Sequence, residues 1–324
     1  MRVATFNVEN LDFRPGEEAA LERRGEILRP TLERAAADIL CLQEVNAQKT
    51  HHHGARSFAA LERLLAGTRY AGYHRVHTIH PRGAGPMDIH NLILLSRYPI
   101  QTSRQVHHDL VPAWRWTPPS LGSSVPTPVE ITWDRPALHV RIDLDGGSVL
   151  HVLNLHLRAS RAAPVFDMLH KGDSRSTWAW AEGFFLAAQK QIGQALEVRL
   201  FVDGIFAADP SANILVCGDL NAEEHEIPVR LLCAASEDTG MPELAWRSLI
   251  PLEDRLPPTA RYSVRHAGRR VMLDHLLASQ SMARRCTGIE VYNEGLADEA
   301  YVSGEVPGSL HAALVADFTE ISPP

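Results

Sequence analysis

Lysine is almost missing from this 324-residue chain: of its 32 basic residues only Lys49, Lys171 and Lys190 are not arginine. Arginine favours bidentate phosphate contacts, although a coding bias towards Ala and Arg accounts for the same count. Cysteine is scarce as well. Four cysteines in a chain this long make no disulfide framework, and Cys41 and Cys217 sit in apolar, strand-like runs that suit reduced, packed thiols. No Cys/His spacing matches a zinc site. No apolar run approaches the length that spans a bilayer, and no basic segment followed by an apolar one opens the chain, so a cytoplasmic protein is the expectation. No repeat or linker divides the sequence, which points to a single domain over residues 1–324. The composition, 45% hydrophobic and 22% charged, is that of a globular protein with a sizeable core. The formal net charge of −7 argues against bulk attraction to nucleic acid and leaves local phosphate binding open.

What the chain does have is a series of short apolar runs, each ending in a polar cluster. In Asn213–Ala222 the run Ile-Leu-Val-Cys shows no polar alternation and suits a strand buried on both faces. Gly218 breaks it, and Asp219 and Asn221 follow at i, i+2. Gly, Asp and Asn are also ordinary turn residues, so this segment alone does not decide between a site and a turn. Similar runs are Arg2–Val8, ending at Asn7, Glu9 and Asn10; Asp38–Val45, with Glu44 at its exit; Leu92–Ser96; Val149–Leu155, followed by His156; and Ala312–Phe318, preceded by His311. Ala137–Leu144 and Val149–Leu155 flank Gly146-Gly147, a hairpin signal. Strands are also expected at Arg261–Val264 and Val271–Leu277.

Between these runs lie helical patterns. Glu17–Ala37 carries Leu21, Ile27, Leu28 and Leu32 near helical spacing, with Pro30 expected to kink it or start a second helix. Ser57–Ala66 and Ile227–Ala235 read as short helices. Trp180–Ala207 reads as a long one, with Ala188, Ile192, Ala195 and Val198 as its apolar stripe. Residues 101–132, rich in proline, and 159–180 read as loop excursions. The histidines at His51–His53, His74, His77, His80 and His90 fit no standard metal spacing and read as solvated loop residues, an extra metal or substrate site being the alternative. Strands alternating with helices, with polar side chains at the strand ends, make an α/β pattern whose site is expected at those ends.

Seven segments in order resemble the endonuclease/exonuclease/phosphatase superfamily: Thr-Phe-Asn-Val-Glu-Asn-Leu (5–11), Leu-Cys-Leu-Gln-Glu-Val (40–45), Ile-Leu-Leu-Ser-Arg-Tyr-Pro (93–99), Leu-Asn-Leu-His-Leu-Arg (153–158), Gly-Asp-Leu-Asn (218–221), Leu-Asp-His (273–275) and Ser-Leu-His (309–311). Each motif is weak by itself; seven in order across essentially the whole chain are not. The resemblance implies a deoxyribonuclease I-like four-layer α/β/β/α sandwich, two packed mixed sheets flanked by helices. It also implies a phosphoesterase dependent on Mg²⁺ or Mn²⁺.

Carried over position by position, the resemblance makes Glu44 the main metal carboxylate, with Asn7 and Glu9 beside it. Asp219 becomes the residue that orients or deprotonates the attacking water, and Asn221 its neighbour at the scissile phosphate. His156 and His311 become active-site histidines, and Arg135 and Arg158 phosphate contacts. Asp274 is a candidate for orienting a catalytic group, a buried structural carboxylate being the alternative. Asp254 is the candidate, on position only, for the carboxylate that orients His311. Such side chains suit the chemistry: hydrolysis needs negative charge neutralised on the phosphate oxygens and a water aimed in line. The chain departs from the pattern at Leu310, where the family carries Asp. A nuclease acting on nucleic acid is the first expectation. A phosphatase or phosphodiesterase acting on a small or lipid phosphate ester is the second, and a binding protein with a decayed site the third.

Overall fold

The computed structural model describes residues 1–14, 16–49, 55–80, 83, 85–119, 128–144, 147–161, 177–303 and 308–319. His51–His53, Gly146, and residues 162–176 of the second excursion lie outside the described residues. Two six-stranded mixed sheets form the centre. The first has the order β17-β18-β1-β2-β6-β5, with β1 at Arg2–Leu11, β2 at Ile39–Val45, β5 at His74–His77, β6 at Asn91–Ser96, β17 at Cys286–Val291 and β18 at Leu314–Phe318. The second has the order β13-β16-β12-β11-β10-β7, with β7 at Ile100–Val106, β10 at Ala137–Asp143, β11 at Val149–His156, β12 at Asn213–Asp219, β13 at Leu249–Pro251 and β16 at Asp274–Ser279. Small hairpins join Gln48–Lys49 (β3) to Arg56–Ser57 (β4), Trp114–Trp116 (β8) to Val129–Ile131 (β9), and Val264–His266 (β14) to Arg269–Val271 (β15).

The alternation of side chains along each strand builds the layers. Val3, Ile39, Cys41, Leu92 and Leu94 of the first sheet meet Val140, Val152, Leu215, Cys217 and Leu276 of the second in one cluster between the sheets. The opposite face of the first sheet, with Ala4, Phe6, Leu40, Leu42 and Ile93, packs on helices α1 (Glu18–Ala35) and α2 (Ala59–Leu65). The outer face of the second, with Leu153, Leu155, Ile214 and Val216, packs on α3 (Thr177–Ala208) and α4 (Ile227–Cys233). The result is the four-layer sandwich, and Asn213–Asp219 is indeed buried on both faces.

Several local expectations are corrected. Pro30 lies inside one unbroken α1, whose buried stripe is Leu21, Gly25, Leu28, Leu32 and Ala35, and Ile27 faces outward. The 101–132 excursion contains the edge strand β7 and the β8–β9 hairpin. On α3 the buried positions include Gln191, Gln194 and Glu197 beside Ala195 and Val198, whereas Ala188 and Ile192 are only half-buried. The polar positions find partners: Trp133 donates its indole N–H to Glu197 at 2.6 Å, and Gln194 donates to the Arg135 carbonyl. Gly193 lets the helix approach the Trp133 ring, which an added Cβ would meet at 2.3 Å.

Candidate active site

Parallel pairing of β1 with β2 and of β11 with β12, and antiparallel pairing of β12 with β16, bring the polar strand ends to one end of the sandwich. Register alone sets His156, Asp219 and Asp274 in one row across three adjacent strands. The first sheet faces this row with Asn7 and Glu44. A polar staple beneath fixes the two sheets to one another: Gln43 donates to Asn154 at 2.7 Å, and Asn154 donates to the Leu42 and Ile93 carbonyls. Both amides are fully buried, so breaking the staple leaves unpaired polar groups in the core.

Asp219 is the hub. Its Oδ2 accepts from Asn7 Nδ2 at 3.0 Å and lies 3.5 Å from His156 Nε2 and 3.8 Å from His311 Nε2, while its Oδ1 accepts from the Asn221 backbone N–H. Burial pushes its carboxyl up to about 6, with Asp274 adding to the shift and His311 opposing it. Gly218 is required before it: φ is +133°, and a Cβ would stand 2.0 Å from the Leu155 carbonyl oxygen.

His311 donates or shares Nδ1 with Asp274 Oδ2 at 2.8 Å. Burial works against its charge, but Asp274, Asp219 and Glu44 together raise it to about 10, so the ring is an imidazolium at neutral pH. The turn is held by Ser309, whose hydroxyl donates to the Asn7 carbonyl and accepts from the His311 N–H. His156 is the opposite case. Burial, then Arg135, His90 and His311, hold it well below its ordinary value and therefore neutral, and its Nδ1 has no hydrogen-bond partner among the described residues.

Glu44 accepts from Asn7 Nδ2 at 3.3 Å and from the Asn10 N–H at 3.0 Å, and stands 3.6 Å from His156 Nε2. Glu9 accepts from the Leu310 N–H at 2.7 Å, and burial raises its carboxyl. Leu310, the departure from the family pattern, thus contributes its amide, while its side chain is buried. Arg135 donates to the His156 carbonyl, and burial lowers its pKa despite Glu44, Asp134 and Asp219 beside it. Arg158 and Lys190 both grip Asp134, at 2.9 and 2.6 Å. Asn221 donates to the Leu157 carbonyl, and Gln191 donates to the Leu220 and Asn221 carbonyls. Glu9, Asn10, Glu44, His90 and Asn221 all have φ between 49° and 61°. Such backbone strain clusters where side chains must be aimed.

Asn7, Glu9, Glu44, Arg135, His156, Asp219, Asn221, Asp274 and His311 therefore converge, with Arg158 at the rim. Asp254 does not join them: it pairs with Arg261 on the surface. The carboxylate on His311 is Asp274, and the buried carboxylate of that segment is Glu253, which holds His275 at 2.5 Å. His90 also belongs to the site, stacked on His156 at 6.0 Å between ring centroids and bonded to Asn10. The signal was its place one residue before β6. Gln43 and Asn154 stand inside two of the seven motifs, which give them no role, and Gln191 carries no signal beyond being polar within an apolar pattern.

Residues 4–298 match the sequence model of the Endonuclease/Exonuclease/phosphatase family. The chain belongs to that family. Membership makes it a hydrolase acting on phosphate esters. Among solved structures it is similar to truncated TDP2 from Caenorhabditis elegans, at 14% identity over 98% of this chain and 96% of that one, with a TM-score of 0.55. An AP endonuclease from Archaeoglobus fulgidus aligns at 18% identity over 98% and 99% of the two chains (TM-score 0.53), and a mannosyl-6-phosphatase from Bacteroides thetaiotaomicron at 13% over 98% and 99% (TM-score 0.58). No curated protein matches the sequence. At these identities the likeness is one of fold, and the deoxyribonuclease I-like architecture of this family member is shared across nucleases and phosphatases.

Proposed function

We infer that this family member hydrolyses phosphodiester bonds with the help of a divalent cation, and that its substrate is nucleic acid. The observation that carries the reading is the arrangement around Asp219, a carboxylate raised to about 6 between a neutral His156 and a cationic His311. A carboxylate raised towards neutrality is a better general base than an ordinary one, and Asp219 is suited to orient a water and take its proton. The imidazolium of His311, held by Asp274, places positive charge where a phosphate oxygen gains negative charge. Arg135 adds a second fixed cation. His156, neutral and hydrogen-bonding, orients the phosphate without repelling the cation side of the site.

The donor set fits a hard divalent ion. Glu9, Glu44, Asp219 and Asp274 put four carboxylates in a pocket whose fixed cations are His311 and Arg135, and Asp274 Oδ1 has no hydrogen-bond partner among the described residues. Asp219, Asp274 and His311 offer ligand atoms within 4.8 Å of one another, but the His311–Asp274 hydrogen bond already commits that pair. We therefore assign the ion to Glu44 with Glu9 and Asn7 nearby, as Mg²⁺ or Mn²⁺. When bound, it supplies charge to non-bridging phosphate oxygens.

Arg158 and Lys190 share the single carboxylate of Asp134 at the rim, and the surplus positive charge favours a substrate with more than one phosphate, which supports nucleic acid over a small monoester. The test is hydrolysis of plasmid DNA, oligonucleotides and chromogenic mono- and diesters, with Mg²⁺, Mn²⁺ or chelator. Strand cleavage lost on chelation and in Asp219→Ala supports the reading. Turnover of small esters alone moves the substrate to a small or lipid phosphate, and no turnover with either metal sinks the phosphodiesterase reading.

A further inference from the structure

Helix α3 is the crossover from β11 to the parallel β12, so it runs antiparallel to both. Its N-terminal end is therefore at the catalytic end of the sheet. Gln191 is level with the tip of β12, because it donates to the Leu220 and Asn221 carbonyls. The turns from Thr177 to Lys190 then continue past the strand tips by about 20 Å, at 1.5 Å per residue. Trp133 packing at Gly193 and the buried Trp133–Glu197 bond fix the part of the helix behind this projection.

The projecting part is unusually apolar on its outside. Trp180 and Phe184 are 60% and 41% exposed and stack on each other at 5.6 Å with 26° between the rings. Positions 180, 184, 187 and 191 follow i, i+4, i+7, i+11 and share one helix face. The face that delivers Gln191 to the catalytic loop thus carries two exposed rings, about 10 and 16 Å further along the axis. Trp178 and Phe185 lie on the other side, where Trp116 of the β8–β9 hairpin tilts onto Phe185 at 5.1 Å.

We propose that the Trp180–Phe184 face of α3 is a stacking subsite for unpaired nucleotides flanking the scissile phosphate. The proposal rests on the nucleic-acid reading above and names the form of strand. Rings with free faces accept bases whose own faces are free, as in a single strand or frayed end; in a duplex those faces are already stacked. Lys190 and Arg158, at the foot of the strip, share one carboxylate, Asp134, and so leave net positive charge between the catalytic loop and the rings. A strand that keeps the 3.4 Å rise of stacked bases covers the distance from the scissile position to the rings in about three to five nucleotides, and a more extended one in fewer. A membrane is the poorer occupant, because no Lys or Arg occurs from Thr177 to Gln189, where an interfacial helix carries them.

The experiment compares wild type with Trp180→Ala/Phe184→Ala. Binding of a labelled decathymidylate is read by anisotropy in chelator, and turnover of decathymidylate, thymidylyl-thymidine and a chromogenic diester is read with Mg²⁺. Both side chains are exposed, and unchanged turnover of the chromogenic diester checks the fold. The expected result is at least about a tenfold loss in decathymidylate binding and a matching rise in its KM, with kcat and the dinucleotide KM unchanged. Equal loss on dinucleotide and decamer, or none on either, overturns the subsite. So does loss of partition onto phosphatidylcholine vesicles, or of self-association, with strand binding kept. If wild type hydrolyses the chromogenic diester but does not bind decathymidylate, the subsite falls and the phosphodiesterase reading stands. If it binds the decamer through the two rings but hydrolyses no ester, the subsite stands and that reading falls.

Discussion

His311, just before β18 of the first sheet, and Asp274, at the start of β16 in the second, meet at 2.8 Å, Nδ1 to Oδ2, across the mouth of the sandwich. The contact joins the loop before β18 to the first residue of β16, and it does two jobs. It fixes the ring so that Nε2 points towards Asp219, and it keeps the ring charged. Asp274→Asn retains the shape and removes the charge. Activity (kcat/KM) should fall on the order of 10²-fold. The alkaline limb of the pH profile, set in the wild type by a group raised to about 10, should move down. An unmoved alkaline limb would show that His311 does not act as a cation.

Asp219→Asn keeps Oδ1 for the Asn221 N–H and removes the base. A loss of about 10²–10⁴-fold in kcat is expected, with substrate binding kept. In the wild type the acid limb should lie near 6, because protonating Asp219 removes the base. A divalent cation favours the carboxylate form, so raising Mg²⁺ should shift that limb below 6. A limb indifferent to Mg²⁺ would separate Asp219 from the metal.

The sequence made the layers and most of the site readable for a physical reason. Strands buried on both faces, such as Ile39–Val45 and Asn213–Asp219, have nowhere to put polar residues except at their ends, so the polar ends stand out. Edge strand β7 was unreadable because it is mostly exposed and shows no apolar alternation. Pro30 was misleading because the surrounding apolar face, Leu28 and Leu32, anchors α1 across it. Position along the chain puts Asp254 forward as the partner of His311 and leaves Asp274 as a candidate for an unspecified catalytic group, whereas the strand register that sets Asp274 beside Asp219 is a tertiary fact. The same holds for Gln43 and Asn154, whose meaning lies in pairing across two sheets.

Metal binding should be visible without turnover. Four carboxylates in one pocket outnumber its two fixed cations, His311 and Arg135, so Mg²⁺ or Mn²⁺ should raise the melting temperature and chelator should lower it. Glu44→Gln should abolish most of the cation-dependent shift while raising the stability of the cation-free protein or leaving it unchanged. A full shift in that variant would place the ion elsewhere.

Glu253 and His275 form a fully buried pair behind the site, and Glu253 also accepts from the Leu276 N–H. His275 passes the constraint on by bonding the Ala222 carbonyl, at the end of the Asp219–Asn221 loop. His275→Phe strands a buried carboxylate and should cost about 3–5 kcal/mol in denaturant unfolding. His275→Phe with Glu253→Leu should recover much of that loss, because the stranded charge is gone. A double variant as unstable as the single one would mean that packing, not charge, sets the cost.

His139 provides a pH test away from the site. Its Nε2 lies 3.0 Å from His151 Nδ1, and its ring packs edge-on against Phe201 of α3. Burial, helped by His151 and two arginines, lowers its pKa from 6.5 to about 3. The ring therefore stays neutral in the folded chain while it titrates near 6.5 in the unfolded chain. Its contribution is fully present above 6.5 and is lost as pH falls towards 3, since only the unfolded state takes up the proton. The loss is about 1.4 kcal/mol per pH unit, or about 2 kcal/mol from pH 7 to 5. His139→Gln keeps a polar partner for His151 and does not titrate. Unfolding free energies of the two proteins should converge by about 2 kcal/mol as pH falls from 7 to 5, the variant gaining relative to wild type. Parallel curves would show that His139 is protonated to the same extent in the folded and unfolded chains.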